Sequence, residues 1–340
     1  MAYKTGASTI IAHGTHATFG TADAVSTGDK LIVDSFSADK SPEELTETGI
    51  GSGADMAADA QQGATTPTIN ITGTGYYNDA KLQAMANFFQ GESVTGNATS
   101  GYMHSFVHGG FNQKYLTTVA QYAANSVLEA ASGAVTRFQR TFDNPPNYSK
   151  TSYDILANDI KYTSTTNNYA ALEATTLASG KKVIIKPTDV LQISGLTVPA
   201  TSVDITLTKE QAAAREIKGS AGNGVGLPSG DPPFQGTVTV TLKSLDDHTY
   251  FSGALNDSTF FLKLTVTGDL ITGGVGYFTE EWRFPALKLI EEPKYDLSSS
   301  AVNPLSLTFK TIVATTLPSG MYSLYPHAII INDRSTIYFT

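Results

Sequence analysis

The sequence feature that most constrains the fold is a strict two-residue alternation of polar and apolar side chains. The segment 237–242 reads Thr-Val-Thr-Val-Thr-Leu, and the segment 67–72 reads Pro-Thr-Ile-Asn-Ile-Thr. Successive side chains of a β-strand point to opposite faces of a sheet, so this period indicates strands with one buried and one polar face. Short β-branched segments predict further strands at 30–33, 182–186, 260–267, 286–289, 305–313 and 328–331. The chain is therefore expected to be mainly β.

One segment departs from this pattern and predicts an amphipathic helix. Its apolar residues recur at i, i+3, i+4 and i+7, which places them on one helical face that would cover the core of a β domain. These residues are Leu82, Met85, Ala86 and Phe89. Asn78 or Asp79 is expected to cap the first turn, and Gly91 is expected just past the last turn.

Two long segments are expected as excursion loops. The segment 35–66 is rich in Ala, Gly and acidic residues, and the segment 204–234 includes a stretch at 209–218 with the composition of a short helix. Loops of this length inside a compact domain are usually functional or disordered. Two interpretations stay open for each: a surface excursion, or an arm that orders against a neighbouring subunit.

The order of these parts occurs twice along the chain. In each half a strand, near Asp29 or near Asp189, is followed by a long excursion and then by an alternating strand. The helix of the first half corresponds to the segment 250–255 in the second. We interpret the chain as a tandem duplication, because insertions that change the spacing cost little in a loop. The first copy is expected at 1–165, with an N-terminal arm, and the second at 166–340.

Composition excludes several kinds of site. The chain of 340 residues has no Cys, which removes disulfides, thiolate catalysis and Cys-ligated metal centres. A net charge of −9 argues against a protein that grips nucleic acid by neutralising phosphates. Charged residues make up only 16% of the chain, against roughly 25% in typical soluble domains. This low fraction suits a protein that buries several faces between subunits.

No motif indicates catalysis, a cofactor or a metal. His104 and His108 have the i, i+4 spacing of a helical metal pair, but flanking glycines argue against a helix there. His13 and His16 are likewise not expected to form a metal site. The glycine-rich runs lack a phosphate-loop context, and the adjacent carboxylates at 280–281 are expected on opposite faces of a strand. We therefore expect a non-enzymatic protein without cofactors.

The pattern and order of these parts resemble the tail tube proteins of long-tailed bacteriophages. The resemblance is carried by the acidic segment 35–66, by the strand at 66–75 with the helix that follows it, by the strand at 237–242, and by the segment 284–310. Within that last segment, 284–289 is similar to an outer-sheet strand and 303–309 to the late strand of the family. The resemblance extends over most of the chain.

This resemblance implies two tandem β-sandwich or half-barrel tube domains, each with a flanking helix and a long excursion loop. It implies that three chains form a pseudo-hexameric ring, that rings stack into a tube, and that double-stranded DNA passes through an acidic channel without specific binding. Further implied partners are the tail terminator, the baseplate or tip, and a tape measure in the lumen. The residues expected to contact the next ring are Glu43, Glu44, Glu47, Asp55, Asp59, Lys209, Arg215 and Lys218.

The implied location is the virion, after synthesis in the host cytoplasm. The first residues do not read as a secretory signal, and no apolar stretch approaches the roughly 18 residues of a membrane span. Two alternatives stay open. A secreted or surface carbohydrate-binding or adhesive β-sandwich would need a signal peptide and an aromatic-lined site, for which Trp282 is the lone tryptophan. A capsid decoration protein, or another structural protein of a virion, is the third function considered.

Overall fold

Antiparallel strands dominate the chain, as the alternating segments predicted. The computed structural model describes residues 9–16, 18–40, 42–47, 59–65, 67–110, 114–123, 125–163, 165–178, 180–214, 224–228, 234–242, 258–290 and 305–339. Within them lie two helices, α1 (Lys81–Phe89) and α2 (Tyr169–Ala174). The expectation of a mainly β chain is confirmed.

The strands fall into a first and a second half of the chain. Those of the first half are β1 (Ile11–His16), β2 (Gly28–Lys30), β3 (Ser35–Asp39), β4 (Pro42–Glu47), β5 (Asp59–Thr65), β6 (Thr68–Thr74), β7 (Gln90–Asn97), β8 (Gly101–His108), β9 (Tyr115–Ala123), β10 (Ser126–Asp143), β11 (Asn147–Tyr148), β12 (Lys150–Leu156) and β13 (Asp159–Lys161). Those of the second half are β14 (Ile184–Ile185), β15 (Val190–Ile193), β16 (Leu196–Thr197), β17 (Ala200–Lys209), β18 (Gln211–Ala214), β19 (Gly224–Pro228), β20 (Phe234–Leu242), β21 (Phe260–Leu270), β22 (Tyr277–Leu289), β23 (Leu305–Thr311) and β24 (His327–Asn332).

The long strand β10 organises the first half. The first part of β10 pairs with β9 and β13, and its later part pairs with β12. Ser132, with a φ of 54°, lies at the register shift between Ala130 and Gly133 of the ladder with β9, just before the ladder with β12 begins at Ala134. Two orders of neighbours result, which we call the first series: β2-β1-β9-β10-β13 and β3-β6-β12-β10.

The same orders of neighbours occur again in the second half, with β22 in the place of β10. This second series is β16-β15-β21-β22-β24 and β17-β20-β23-β22. The correspondence extends to single contacts: Leu31 N donates to Ile11 O over 2.8 Å, and Val198 N donates to Leu191 O over 2.9 Å. The strand near Asp189 therefore corresponds to β1, and its predicted equivalence with the strand near Asp29 is wrong.

The two series are joined in one sheet and one core. β10 pairs with β17 from Arg137↔Thr208 to Asp143↔Ser202, which gives the continuous order β3-β6-β12-β10-β17-β20-β23-β22. We call this the eight-stranded sheet. The hairpin β7–β8 pairs with β24. A single hydrophobic cluster includes Phe138 of the first half and Trp282 of the second. The segment 250–255 lies outside the described residues, and the boundary at 165/166 stays a prediction.

Helix α1 is enclosed on all sides, so the expectation of one apolar face does not describe its surroundings. All nine of its residues are buried, including the four of the predicted face: Leu82, Met85, Ala86 and Phe89. Several of its polar side chains make hydrogen bonds inside the protein. Lys81 Nζ donates to Ile32 O over 2.7 Å, and Val135 N donates to Asn87 Oδ1 over 2.7 Å.

The ends of α1 also differ from the prediction. The helix begins at Lys81, and Asp79 Oδ1 accepts a 3.0 Å hydrogen bond from Lys81 N. Gln90, with a φ of 64°, adopts the left-handed conformation that was expected at Gly91. Gly91 is required for a different reason: a Cβ there would lie 2.7 Å from Val107 O of the paired strand β8.

Both excursions contain strands, so their prediction as loops is wrong. The segment 35–66 includes β3 and the hairpin β4–β5, and the segment 204–234 includes the end of β17 and the hairpin β18–β19. The stretch 209–218, expected as a short helix, contains the strand Gln211–Ala214. Extended pairing satisfies the backbone hydrogen bonds of these Ala- and Gly-rich segments without needing a core. The strand predicted at 30–33 is displaced to Gly28–Lys30, which shares only Lys30 with it, and the strand predicted at 182–186 is reduced to Ile184–Ile185.

Candidate assembly surface

One face of the eight-stranded sheet is polar because of the alternation in its strands. On β20, Val238 and Val240 are fully buried while the threonines between them point to the opposite face. Hydroxyl groups meet across strands on that face: Thr239 Oγ1 lies 3.3 Å from Thr308 Oγ1, and Thr241 Oγ1 lies 3.3 Å from Ser306 Oγ. We call this surface the polar face.

The described charges of the polar face balance. Four carboxylates and four cationic side chains occupy its outward positions. They are Asp39, Asp143, Asp154 and Asp204, and Arg137, Lys150, Lys288 and Lys310. The described part of this face therefore carries no share of the chain's net charge of −9.

A hydrogen-bond network crosses the polar face where the two series meet. Gln139 Nε2 of β10 donates to both carboxylate oxygens of Asp204 on β17, over 3.1 and 3.0 Å. Thr141 Oγ1 donates to Asp204 Oδ2 over 3.3 Å, and Arg137 Nη2 donates to Gln139 Oε1 over 2.6 Å. This junction between β10 and β17 is missing from the sequence prediction, although the alternation at 203–208 is a strand signal.

The two edges of the eight-stranded sheet differ from each other. At one edge, β6 is the one strand within the described part of the chain that pairs with β3. At the other edge, β22 pairs with β21 up to Leu287 and with β23 from Leu287 to Leu289. Edge strands present backbone donors and acceptors that pair readily with another chain.

The hairpins β4–β5 and β18–β19 follow the equivalent strands β3 and β17. Each forms its own two-stranded sheet, separate from the eight-stranded sheet. Of the residues predicted to contact a neighbouring ring, Glu43, Glu44, Glu47 and Asp59 lie in the strands of the first hairpin. Asp55, Arg215 and Lys218 lie outside the described residues.

Lys209 is buried, which corrects its prediction as an inter-ring contact. Its side chain is at the end of β17, is 1% exposed, and follows the inward positions of Ile205 and Leu207. Lys209 Nζ donates over 3.0 Å to Phe88 O, near the C-terminal end of α1, where carbonyl groups favour a cation. Burial nevertheless lowers the pKa of Lys209 to about 7.

Two of the histidines considered as metal ligands, His104 and His13, make hydrogen bonds inside the protein. His104 lies on a strand, with Nδ1 3.0 Å from Glu92 Oε1 and Nε2 2.9 Å from Arg334 O. His13 Nε2 lies 2.7 Å from the Tyr153 hydroxyl, and burial lowers the pKa of His13 to about 3. Among the described residues, no group of three or more His, Asp or Glu side chains is arranged to hold a metal ion.

Trp282 and the adjacent carboxylates lie as the alternation predicted. Trp282 is 0% exposed, so it belongs to the core and offers no surface platform for a sugar. Trp282 Nε1 donates over 2.7 Å to Glu280 Oε1, also inside the protein. Glu281 points to the other face, where it accepts a 2.9 Å hydrogen bond from Arg283 Nε. The expected placement of the two carboxylates on opposite faces is confirmed.

The comparisons with known proteins provide no function, so the polar face and the sheet edges are the basis for one. Within the described ranges, no helix has both the length and the apolar character needed to cross a membrane. A comparison with protein-family models finds no match to this chain, and a comparison with curated proteins finds none either.

Proposed function

We propose that this chain is the structural subunit of a phage tail tube, in which it assembles into rings that stack around a channel for DNA. The observation that carries the proposal is the ladder between β10 and β17, where the first series already pairs edge to edge with the second. A second copy can repeat that ladder, with the C-terminal end of its β22 beside β3. The two series are then tandem tube domains, at 1–165 and 166–340.

The dissimilar edges support a ring over a simple dimer. Pairing of β3 with β22 joins two different surfaces, so each added copy leaves the same two edges exposed. Such head-to-tail contacts close into a ring when the rotation between copies permits. Closure pairs every edge of the eight-stranded sheet and removes the hazard of unpaired strands.

Strand spacing supports three copies in the ring. Strands lie about 4.8 Å apart, so three eight-stranded sheets enclose a circle about 37 Å across between backbones, and strand tilt widens it. Two copies would give about 24 Å, which side chains on both walls would narrow below the width of a DNA duplex. Three copies of two tube domains form the proposed pseudo-hexamer.

The polar face suits the wall of such a channel. It presents hydroxyl groups and equal numbers of carboxylates and cations, and Gln139 and Thr141 donate hydrogen bonds to the Asp204 carboxylate within the wall. Phosphates adhere to clustered, uncompensated cations. On the described part of this face the cations equal the carboxylates in number, and two of the cations, Lys288 and Lys310, face each other at the β22 edge. Because its charges balance, the acidity proposed for the channel would come from other residues. The further proposed partners are the tail terminator, the baseplate or tip, and the tape measure.

The proposal is tested by imaging and by crosslinking of the purified full chain. Negative-stain micrographs are expected to show rings or tubes whose number rises with protein concentration.

Since the chain has no Cys, the pair Asp39→Cys and Ile290→Cys places reactive thiols only at the two sheet edges. A short bis-maleimide is expected to convert this double variant into a ladder of multimers. Each single variant is the control, because head-to-tail contact keeps identical sites apart. Monodisperse monomers without crosslinks at high concentration would overturn the proposal.

A further inference from the structure

Two grooves occupy equivalent places in the two series. The second-series groove, of about 650 Å³, is lined by Leu191, by the segment 197–203, and by Phe142 and Pro145 from the end of β10. The first-series groove, of about 670 Å³, is lined among the described residues by the segments 9–11 and 30–36. Among the described residues, the second-series groove therefore has a wall that comes from the other series, and the first-series groove has no such wall.

The strand registers establish which residues correspond. Phe36 pairs with Ile71, which pairs with Tyr153, all pointing into the core. The matching row in the second series runs from Val203 to Val240 to Leu307. Phe36 thus takes the position of Val203. The contacts of Leu31 with Ile11 and of Val198 with Leu191 align the floors of the two grooves in the same way.

The matched residues of the two grooves differ in their exposure to solvent. Val203 is 3% exposed because Phe142 pairs beside it in the ladder of β10 with β17. Phe36 is larger yet only half-buried, and Ile32 on the rim of the same groove is 45% exposed. A half-buried Phe beside an exposed Ile retains apolar area whose burial would be favourable.

We propose that the first-series groove is the docking site for a second copy of this chain, which supplies the wall that Phe142 and Pro145 supply within the chain. The inference rests on the proposed function and adds an apolar contact to the backbone pairing of the sheet edges. The occupant is a second copy because the chain itself provides one wall of the equivalent groove from its other series. Phe36 and Ile32 are then the residues on which association depends.

The variant Phe36→Asp tests this contact. Its side chain is half-buried in the single chain, so the variant is expected to stay folded, with a far-ultraviolet circular dichroism spectrum like that of the parent. In sedimentation velocity it is expected to self-associate more than about tenfold more weakly, as for a central interface residue. The matched control is Ser37→Asp, on the polar face of the same strand. The equivalent of Ser37 in β17 is Asp204, so an Asp fits that position and association is expected to persist.

A second variant keeps the test decisive if Phe36→Asp fails to fold. Ile32→Asp changes the exposed rim of the same groove and is expected to weaken association with no loss of melting temperature. Parent-like association of a folded Phe36→Asp or of Ile32→Asp would overturn the inference. Crosslinking between positions 39 and 290 is read separately. If a groove variant associates as strongly as the parent and crosslinked ladders still form, the sheet-edge proposal stands and only the groove contact is excluded.

Discussion

Arg140 and Glu280 form a buried ion pair that ties together the two strands organising the two series. Arg140 Nε of β10 donates to Glu280 Oε1 of β22 over 2.8 Å, and both side chains are almost fully buried. A second guanidinium nitrogen contacts the other carboxylate oxygen, and Thr151 Oγ1 accepts from the third. Trp282 Nε1 also donates to Glu280 Oε1. The pair therefore spans the two halves of the chain inside their common core.

Loss of one partner of this pair is expected to be costly. Glu280→Gln keeps an acceptor for Trp282 but leaves the Arg140 charge buried without a counterion. We expect the free energy of unfolding to fall by about 3–5 kcal/mol, measured by urea denaturation. In the double variant Arg140→Met, Glu280→Gln no charge is left buried, so its loss is expected to be smaller than the sum of the single losses. Additive losses would contradict the assigned coupling.

Gly75 provides an independent check on the position of Arg140. A Cβ at Gly75 would lie 1.7 Å from Arg140 Nη1, which no side-chain adjustment of a few tenths of an ångström relieves. Gly75→Ala is therefore expected to lower the urea midpoint markedly. In an Arg140→Met background, where the guanidinium is gone, the same substitution is expected to cost much less. Equal effects in both backgrounds would show that another contact requires the glycine.

Lys209 is expected to make stability rise with pH above neutrality. Burial lowers its pKa in the folded chain from 10.5 to about 7. Between pH 7 and 10.5 the unfolded chain therefore binds more protons, and the free energy of unfolding gains up to about 1.4 kcal/mol per pH unit. Lys209→Met is expected to remove this slope in urea denaturation at pH 7, 8 and 9. The control is Lys310→Met, at an exposed position of β23, and a slope unchanged by Lys209→Met would contradict the assignment.

His13 is expected to contribute to loss of stability in mild acid. Burial, followed by the nearby charge of Lys81, lowers its pKa from 6.5 to about 3. As pH falls from 6.5 toward 3 the unfolded chain takes up a proton that the folded chain refuses, so stability decreases. His13→Gln is expected to reduce this decrease between pH 6.5 and 5 by up to about 1.4 kcal/mol per unit. The measurement is the urea midpoint across that range, and parent-like acid sensitivity of His13→Gln would assign the effect to other groups.

The hairpin β4–β5 is expected to act between rings and not within the fold. Because it pairs with no strand of the eight-stranded sheet, deletion of residues 45–60 is expected to leave circular dichroism and melting nearly unchanged. Long tubes are expected to disappear from electron micrographs while single rings persist. A parallel deletion of 212–227 removes the equivalent hairpin β18–β19, the other segment predicted to contact the next ring, and is expected to abolish long tubes as well. Tubes of normal length after the first deletion would exclude the hairpin from inter-ring contact.

The sequence predicts strands best where a two-residue alternation assigns each side chain to one face of the sheet. The strands at 68–72 and 237–242 lie where their period placed them, since a strand half in a core and half in water needs that period. The prediction was weakest where small residues obscure it. The hairpins β4–β5 and β18–β19 are missing from the predicted strands, because their segments contain few β-branched residues.

By itself the sequence determined the β class of the chain, because local alternation is a property of neighbouring residues. Only the tertiary structure decided that β10 pairs with β17, that α1 is enclosed on every side, and that Lys209 lies inside the protein. Those outcomes depend on which distant strands become neighbours. The interactions that stabilise these arrangements include the shared core and the hydrogen bond from Gln139 to Asp204. They form only when the two halves of the chain are in contact.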